Sequence, residues 1–594
     1  MDRREALVVG LRAARRDPLT WIVIAVAAIH AVGIGWGLPA SDGWDNDGVA
    51  PRDFLAGLVE TFSPGRYFTY PPVHLVLLGV LTSPVTVVAL AKAPSLAPAD
   101  VIGEVLKVPY MTAIAWIARL VSLAMSLGIV VAMARIAECV VPAERRARAG
   151  WMAAVACGVN ASLTYYAHTT NLDVPYLFWA SLGLLSLVRA VAWREPRRFR
   201  RLAVMTALAV GTKDQAYALL LLGVPATLAA WFALDAWARG HVRAIAKELG
   251  VALAIGAVLL VFVDAVPFNP TGFRARLGFL VGSASQDFAH YSNDWQGRVL
   301  VIKDSFLHFD RYYPVPLAAV ALLGLVFAVR GPAPSPPGAE AWGGEAWGGE
   351  RRAAALAPLF AMISFTLAFN CVARRTEHRF LLPQMTLAAV YIGIAAERLA
   401  FSPASRAVRI AWQAALSVLF AWGVFASLDV DANLVLDPRY DAERWLDDHV
   451  APGDAVEVHG LNVYLPRFPA GARVVRVGPE PVAKRNPMPG IIEEKVDRFG
   501  AIEGRRPRWI VVSQGWVWRY LLDPHATEAH GRVLPPTQIA SGSDPDGTWF
   551  FQGLVHGERG YRLAHASTWT STLWPQLDIH ASLSREIWIY ERVP

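Results

Sequence analysis

Apolar runs of membrane length recur along this chain, and they settle its architecture before any other feature is weighed. A bilayer core takes roughly 17 to 25 apolar residues per helix. Candidate spans fall at Leu19–Leu38, Ile117–Ala137, Gly150–Tyr165, Val174–Val191, Leu202–Gly211, Ala216–Trp237, Val251–Val266, Pro314–Val329, Ala353–Phe369, Phe380–Ala396 and Ile410–Leu428. Hydrophobic residues make up 54% of the 594 and charged residues 18%, too apolar a balance for an ordinary soluble protein. Basic clusters lie at the N-terminus, Arg145–Arg148, Arg194–Arg201, Arg239–Lys247, Arg351–Arg352 and Arg398–Arg409. About eleven crossings put every one of them in the cytoplasm, as the positive-inside rule requires. The net charge of +7 is therefore explained by loops rather than by nucleic-acid binding. The fold class expected is mostly α: a polytopic bundle of about 11 transmembrane helices over residues 1–428, then a soluble α/β domain over 429–594.

Several segments refine this plan. The N-terminus is basic and precedes a run long enough to span, with no small-residue cleavage site after it, so it reads as a retained first helix. The stretch from Tyr70 to Leu90 is apolar enough to span, but a crossing there would turn Arg145–Arg148 and Arg194–Arg201 outward. It is read as a juxtamembrane or re-entrant helix within an outer loop over 39–109, started by Pro71 and Pro72. Residues 331–352 form a cytoplasmic low-complexity linker with a tandem Glu-Ala-Trp-Gly-Gly repeat. In the tail, Tyr440–Leu446 has the pattern of an amphipathic helix, and Ala455–Val458, Trp509–Val512 and Ile587–Tyr590 the pattern of strands. The three cysteines, Cys139, Cys157 and Cys371, lie in or beside apolar segments and suggest neither a disulfide framework nor a zinc site.

Four polar groups then fall at the outer ends of helices. Asp42, Asp45 and Asp47 surround Trp44 just after the first span. Tyr165 to Asp173 includes His168 and closes on an acid before the next helix. Lys213 precedes Asp214. Arg374, Arg375, Glu377, His378 and Arg379 form the fourth. Each has a plain alternative: a solvated loop, an N-cap, a snorkelling lysine, or pairing with lipid headgroups. Together they offer a carboxylate to accept a proton and a cation cluster to hold phosphate, for which the guanidinium fork is well matched.

The chain resembles the GT-C membrane glycosyltransferases, in particular the branch of protein O-mannosyltransferases and the lipid A aminoarabinose transferase. The residues that carry the resemblance are Trp44-Asp45-Asn46-Asp47, Tyr70-Pro71-Pro72, Tyr166-Ala167-His168 leading to Asp173, Thr212-Lys213, and Arg379-Phe380-Leu381-Leu382-Pro383. The resemblance implies inverting transfer of a sugar from a polyprenyl-phosphate donor to a glycan, lipid or protein acceptor, at the extracytoplasmic face of a bacterial inner membrane. It implies catalytic roles for Asp47 or Asp45 as base, with Asp173 as a second acid, and donor-phosphate binding by Lys213, Arg374, Arg375 and Arg379. Asp42, Tyr70, His168 and His378 are further site candidates. Many members carry an adjacent Asp-Glu pair, whereas Gly48 follows Asp47 here. No cofactor is expected, although a divalent cation would have ligands in Asp42, Asp45 and Asp47. A transporter or flippase of lipid-linked sugars is the competing reading, and it lacks the repeated halves common among transporters. A non-catalytic scaffold leaves the outer acids and arginines without a use.

Overall fold

The computed structural model describes residues 17–40, 43–45, 47–51, 53–282, 288–330, 348–401, 405–481, 492–521, 544–569, 583 and 585–593. In the membrane part the helices are α1 (Pro18–Ile29), α2 (Asp53–Phe62), α3 (Val73–Lys92), α4 (Pro98–Val105), α5 (Val108–Cys139), α6 (Arg146–Gly158), α7 (Ala161–Ala167), α8 (Asp173–Ala192), α9 (Arg198–Val210), α10 (Gly223–Leu234), α11 (Val242–Val263), α12 (Pro270–Val281), α13 (Trp295–Leu307), α14 (Pro316–Arg330), α15 (Gly349–Phe365), α16 (His378–Ala400) and α17 (Arg406–Val435). Among the described residues eight helical segments are long and apolar enough to cross a membrane, or up to nine if the bent pair Trp295–Arg311 and Pro316–Arg330 counts as one. The chain is a multi-pass membrane protein with fewer full-length spans than the eleven expected.

The shortfall has local causes. The first run does not stay helical to Leu38: α1 stops at Ile29 and turns follow, with Gly33 and Gly37 at positive φ. The run at 150–165 is cut where Asn160 accepts from Leu163 N at 3.0 Å and starts a new helix, α7. Helix α9 has 13 residues, about 20 Å of rise. Conversely, α3 is a 20-residue apolar helix of spanning length. Its buried residues Leu75, Leu78 and Ala89 share one cluster with Val105 of α4 and with Met111, Ile114 and Ala118, all within the first three turns of α5.

The bundle has two distinct charged ends. At one, Arg145 Nε donates to Glu397 at 2.6 Å, Arg194 pairs with Asp235 and Glu350 at 2.9 and 3.0 Å, and Arg200 pairs with Glu248 at 2.7 Å. Arg145, Arg194 and Arg200, from clusters expected to share a compartment, thus share an end, while the basic N-terminus lies outside the described residues. Helices α8 and α16 leave that end and run to the other, where they begin at Asp173 and His378.

Helix α17 runs to Val435, past the expected domain boundary at 428, and α18 (Pro438–His449) opens the soluble part as the amphipathic pattern requires. Strands β1 (Ala455–Val458), β2 (Arg473–Gly478), β3 (Ile492–Val496), β4 (Trp509–Ser513), β5 (Tyr561–Ser567) and β6 (Ile587–Arg592) form one sheet in the order β3-β2-β1-β4-β6-β5. The first four are mutually parallel; β6 is antiparallel to β4 and β5 to β6. Apolar runs suit strands covered on both faces. Trp509 and Val511 pack with Leu446 of α18, while Ile510 and Val512 pack on the other face with α19 (Gln514–Leu521) and α20 (Pro545–Val555). The predicted linker falls mostly on 331–347, outside the described residues; α15 begins at Gly349.

Candidate active site

Helix α8 starts on Asp173, yet that carboxylate does not cap it. Asn171 Oδ1 takes the capping role, accepting from Asp173 N at 3.1 Å. The fully buried Asp173 carboxylate instead accepts from Lys213 Nζ at 2.8 and 2.9 Å and from Gln215 Nε2 at 3.1 Å. Lys213 sits in the break after α9, in a turn that Val73 N closes by donating to Gly211 O at 2.9 Å. Burial pulls its ammonium down from the ordinary value; Asp173 opposes that and Arg379 adds to it.

Arg379, in the first turn of α16, forms an ion pair with Asp47, and each side chain keeps about a fifth of its surface exposed, 20% and 21%. Its guanidinium lies 4.7 Å from the Phe380 ring centroid, and Arg375 covers the same ring at 4.6 Å. Arg375 Nε donates to Glu377 at 2.8 Å, and His290 approaches that carboxylate at 3.3 Å. Burial works against the Glu377 charge, but Arg375 and His290 hold its carboxyl well below the usual range. Arg379 interacts with Asp47, Asp173 and Glu377 together, and Lys213 with Asp173, Arg379 and Asp47. Three carboxylates and three cations therefore gather in one place.

A π-helical turn, Thr366–Asn370, prepares the arginine segment. Asn370 Nδ2 donates to the carbonyls of Arg375 and Phe380 at 3.0 and 2.9 Å, and Asn370 Oδ1 accepts from Gln384 Nε2 at 2.6 Å, which folds residues 374–380 into a fixed bend. Arg374, at φ +54, leaves the group: its Nη1 donates to Tyr291 O at 2.9 Å, and Tyr291 Oη reaches Asp304 at 2.8 Å.

The first loop is strapped down from two sides. Thr170 Oγ1 bonds both N and O of Ala50, at 3.1 and 3.0 Å. Trp44 is buried against Trp36 and against Tyr440 of α18, with the Arg439 guanidinium 4.2 Å from its ring. Asp45 is buried; Asp47 N donates to its Oδ1 at 3.2 Å and the Tyr165 hydroxyl stands at 3.5 Å. The two acids thus turn apart, one inward and one toward Arg379. Gly48 has a steric reason for departing from the Asp-Glu pattern: a Cβ there would lie 2.8 Å from Thr170 Oγ1.

Of the sequence candidates, Asp47, Asp173, Lys213, Arg375 and Arg379 are brought together, Asp45 lies just beneath, and Arg374 is turned away. His168 is fully buried elsewhere, its ring nitrogens 2.6 Å from Thr164 O and from Val32 O and near Asp431. Tyr70 packs, partly buried, on the cluster around α3. His378 contributes its carbonyl to Tyr312 Oη. Asp42 lies outside the described residues. Among those described, no group of three or more His, Cys, Asp or Glu is arranged to hold a metal ion. Sequence reasoning placed Glu377 in the fourth group without giving it a role, and it missed Gln215, two residues from Lys213, and Arg119, a buried arginine of α5 that donates to Ile34 O at 2.7 Å and interacts with Asp45. A lone arginine inside an apolar helix was the available signal for the last.

No family model matches the chain, and no curated protein sequence matches it. Its structure is similar to that of ArnT from Cupriavidus metallidurans in the apo state, at 14% identity over 96% of this chain and 97% of that one, with a TM-score of 0.48. The same ArnT bound to undecaprenyl phosphate gives 15%, 96%, 97% and 0.48. The Archaeoglobus fulgidus oligosaccharyltransferase tethered with an acceptor peptide gives 11% identity over 84% of this chain and 70% of that one, with a TM-score of 0.42. Both proteins are members of the GT-C superfamily. All three scores lie below 0.5, so the chemistry of the site is taken from its own side chains.

Proposed function

We propose that this chain is an integral-membrane glycosyltransferase that moves a sugar from a polyprenyl-phosphate donor to an acceptor hydroxyl, at the end of the bundle that carries Asp47. The observation that carries this is the partly exposed Asp47–Arg379 pair set against the buried Asp173–Lys213 pair. A donor phosphate offers Arg379 a partner of at least equal charge and better fork geometry. Its arrival takes the guanidinium from Asp47 and frees a carboxylate beside the anomeric carbon. Asp47 then accepts the acceptor's proton as its oxygen attacks. The bond from the anomeric carbon to the phosphate oxygen breaks, its electron pair leaves with the lipid phosphate, and Arg379 and Lys213 stabilise the charge that grows there. A single displacement inverts the centre. Asp45, buried under Tyr165, shapes the loop, and Asp173 holds Lys213 in position. The two cations supply the positive charge, so no divalent metal is required.

By the positive-inside rule this end and the soluble domain are extracytoplasmic. Helix α3 then lies along the outer interface, in keeping with its packing on only the first turns of α5. Cysteines placed at Ser63 and Ser95 are expected to react with an impermeant reagent from the same side; reaction from opposite sides would make α3 a span. The function itself is tested by incubating purified protein, with a chelator and mixed glycan, lipid and protein acceptors present, with a panel of polyprenyl-phosphate sugars. Release of free polyprenyl phosphate from at least one donor is expected, and intact donor throughout the panel would sink the proposal.

A further inference from the structure

The soluble sheet contains a second place built to receive a ligand. In an open parallel sheet, the crevice beyond the carboxyl ends of the strands opens where the strand order reverses. Here β1 has β2 on one side and β4 on the other, so the crevice lies between the loop after Val458 and the turn after Ser513. Gly460 leads the first loop at φ +83, and a Cβ there would stand 2.3 Å from the Trp516 ring. Only glycine lets the indole close onto the loop. Trp516, in the first turn of α19, lies 6.4 Å from the Tyr464 ring and 4.0 Å from the Arg519 guanidinium. Asn462 Oδ1 accepts at 2.7 Å from Arg476 Nη2, a buried arginine of β2.

The polar groups here are of one kind. Asn462 Nδ2 and Trp516 Nε1 are buried donors with no hydrogen-bond partner among the described residues, and the Asn462 side chain belongs to a residue only 5% exposed. Arg519 donates to the Trp516 carbonyl at 2.9 Å and lies over its ring, with no carboxylate in ion-pair reach among the described residues. Burial pulls its pKa down. Elsewhere in the domain the arginines hold acids: Arg467 holds Glu443, Arg505 holds Glu457 and Arg508 holds Asp454. Buried donors and a half-buried cation whose near neighbours are aromatic rings are costly unless an anion completes them.

The crevice also faces the membrane site. Arg439, stacked on Trp44, donates to Val463 O in the same loop after β1, and Arg467 Nη1 reaches Pro39 O at 3.1 Å. Leu583, from the segment before β6, packs into the core of the bundle.

We propose that this crevice is a second anion subsite, which holds the phosphate or carboxylate of the sugar acceptor beside the loop that bears Asp47. Only the identity of the anion as the acceptor's rests on the glycosyltransferase reading; the subsite itself does not. The test uses the full-length protein in detergent, titrated calorimetrically with inorganic phosphate, glucose 1-phosphate and glucose. Both phosphates are expected to bind and glucose is not. Arg519→Gln and Asn462→Asp should each weaken phosphate binding roughly tenfold or more with an unchanged melting temperature. Binding of glucose equal to that of glucose 1-phosphate, no binding of either phosphate, or loss in Lys213→Met in place of Arg519→Gln would each overturn the subsite. Normal phosphate binding together with an uncleaved donor panel would overturn the glycosyltransferase reading and leave the subsite standing.

Discussion

Lys213 and Asp214 are neighbours in the chain but belong to ion pairs of opposite character. Asp214 accepts from Arg276 at 2.7 Å, and Arg276 reaches Asp264 at 2.8 Å with its other nitrogen. That arginine is 1% exposed and lies between the Phe68 and Phe273 rings at 5.0 and 5.7 Å. It ties the segment after α11 to the turn after α9, with the cation buried and the Asp214 and Asp264 side chains 21% and 13% exposed. On the other side Lys213 with Asp173 is nearly closed to solvent, and Arg379 with Asp47 is about a fifth exposed at both ends. An ion pair whose cation is buried and shared by two carboxylates holds segments in place. A half-open one can change partners, which a site for a charged substrate needs.

Five substitutions test this contrast. Asp47→Asn should lower turnover by about 10²- to 10⁴-fold, the usual worth of a general base, without changing the melting temperature. Undiminished turnover in both Asp47→Asn and Asp45→Asn would remove the base from this loop. Arg276→Met leaves two half-buried carboxylates without their cation and should cost about 1–3 kcal/mol of stability, read as a lower melting temperature, while donor affinity of the folded protein stays near wild type. A large loss of donor affinity there would erase the distinction between the two clusters. Arg379→Ala should raise the donor Kd roughly 10- to 100-fold and the acceptor Kd much less; equal losses would speak against the phosphate role. The smallest effect concerns Glu377, whose folded pKa is depressed. Its stabilising contribution is complete above the ordinary carboxylate pKa of about 4.3 and is lost as pH falls toward the folded value. Glu377→Gln should therefore flatten the acid side of the melting-temperature profile, and an unchanged profile would show that the Arg375 pair contributes nothing.

Much of this site was legible before any coordinates. Asp173 before a helix and Arg379 ahead of Phe380 and Leu381 are polar residues at the ends of apolar runs, where hydropathy cannot account for them. The strands of the soluble part were legible because β-branched runs bounded by loops have few other homes. Partner choice was not. Nothing local tells that Arg374 turns to a carbonyl while Arg379, five residues on, turns to an aspartate; the π turn and Asn370 decide that through contacts distant in sequence. His168 drew notice for its neighbours, and only the packing of Val32 and Asp431 around it shows where its ring is held. Full-length helices are fewer than the apolar runs because Asn160 and Gly33 interrupt runs that composition alone would join.

The wide turn at Thr366–Asn370 has a consequence for how the protein tolerates length changes. A π turn accommodates one residue more than the α-helical path around it. Deleting a single residue there would let the helix rewind with its later register kept, whereas deleting one just beyond it, where no bulge absorbs the change, would swing every side chain that follows by about 100°. Hydropathy, charge and membrane insertion would all survive such a lesion. The arginines of 374–379 would still be present, aimed at the wrong wall, and the chain would be a faithful scaffold with its grip on phosphate gone.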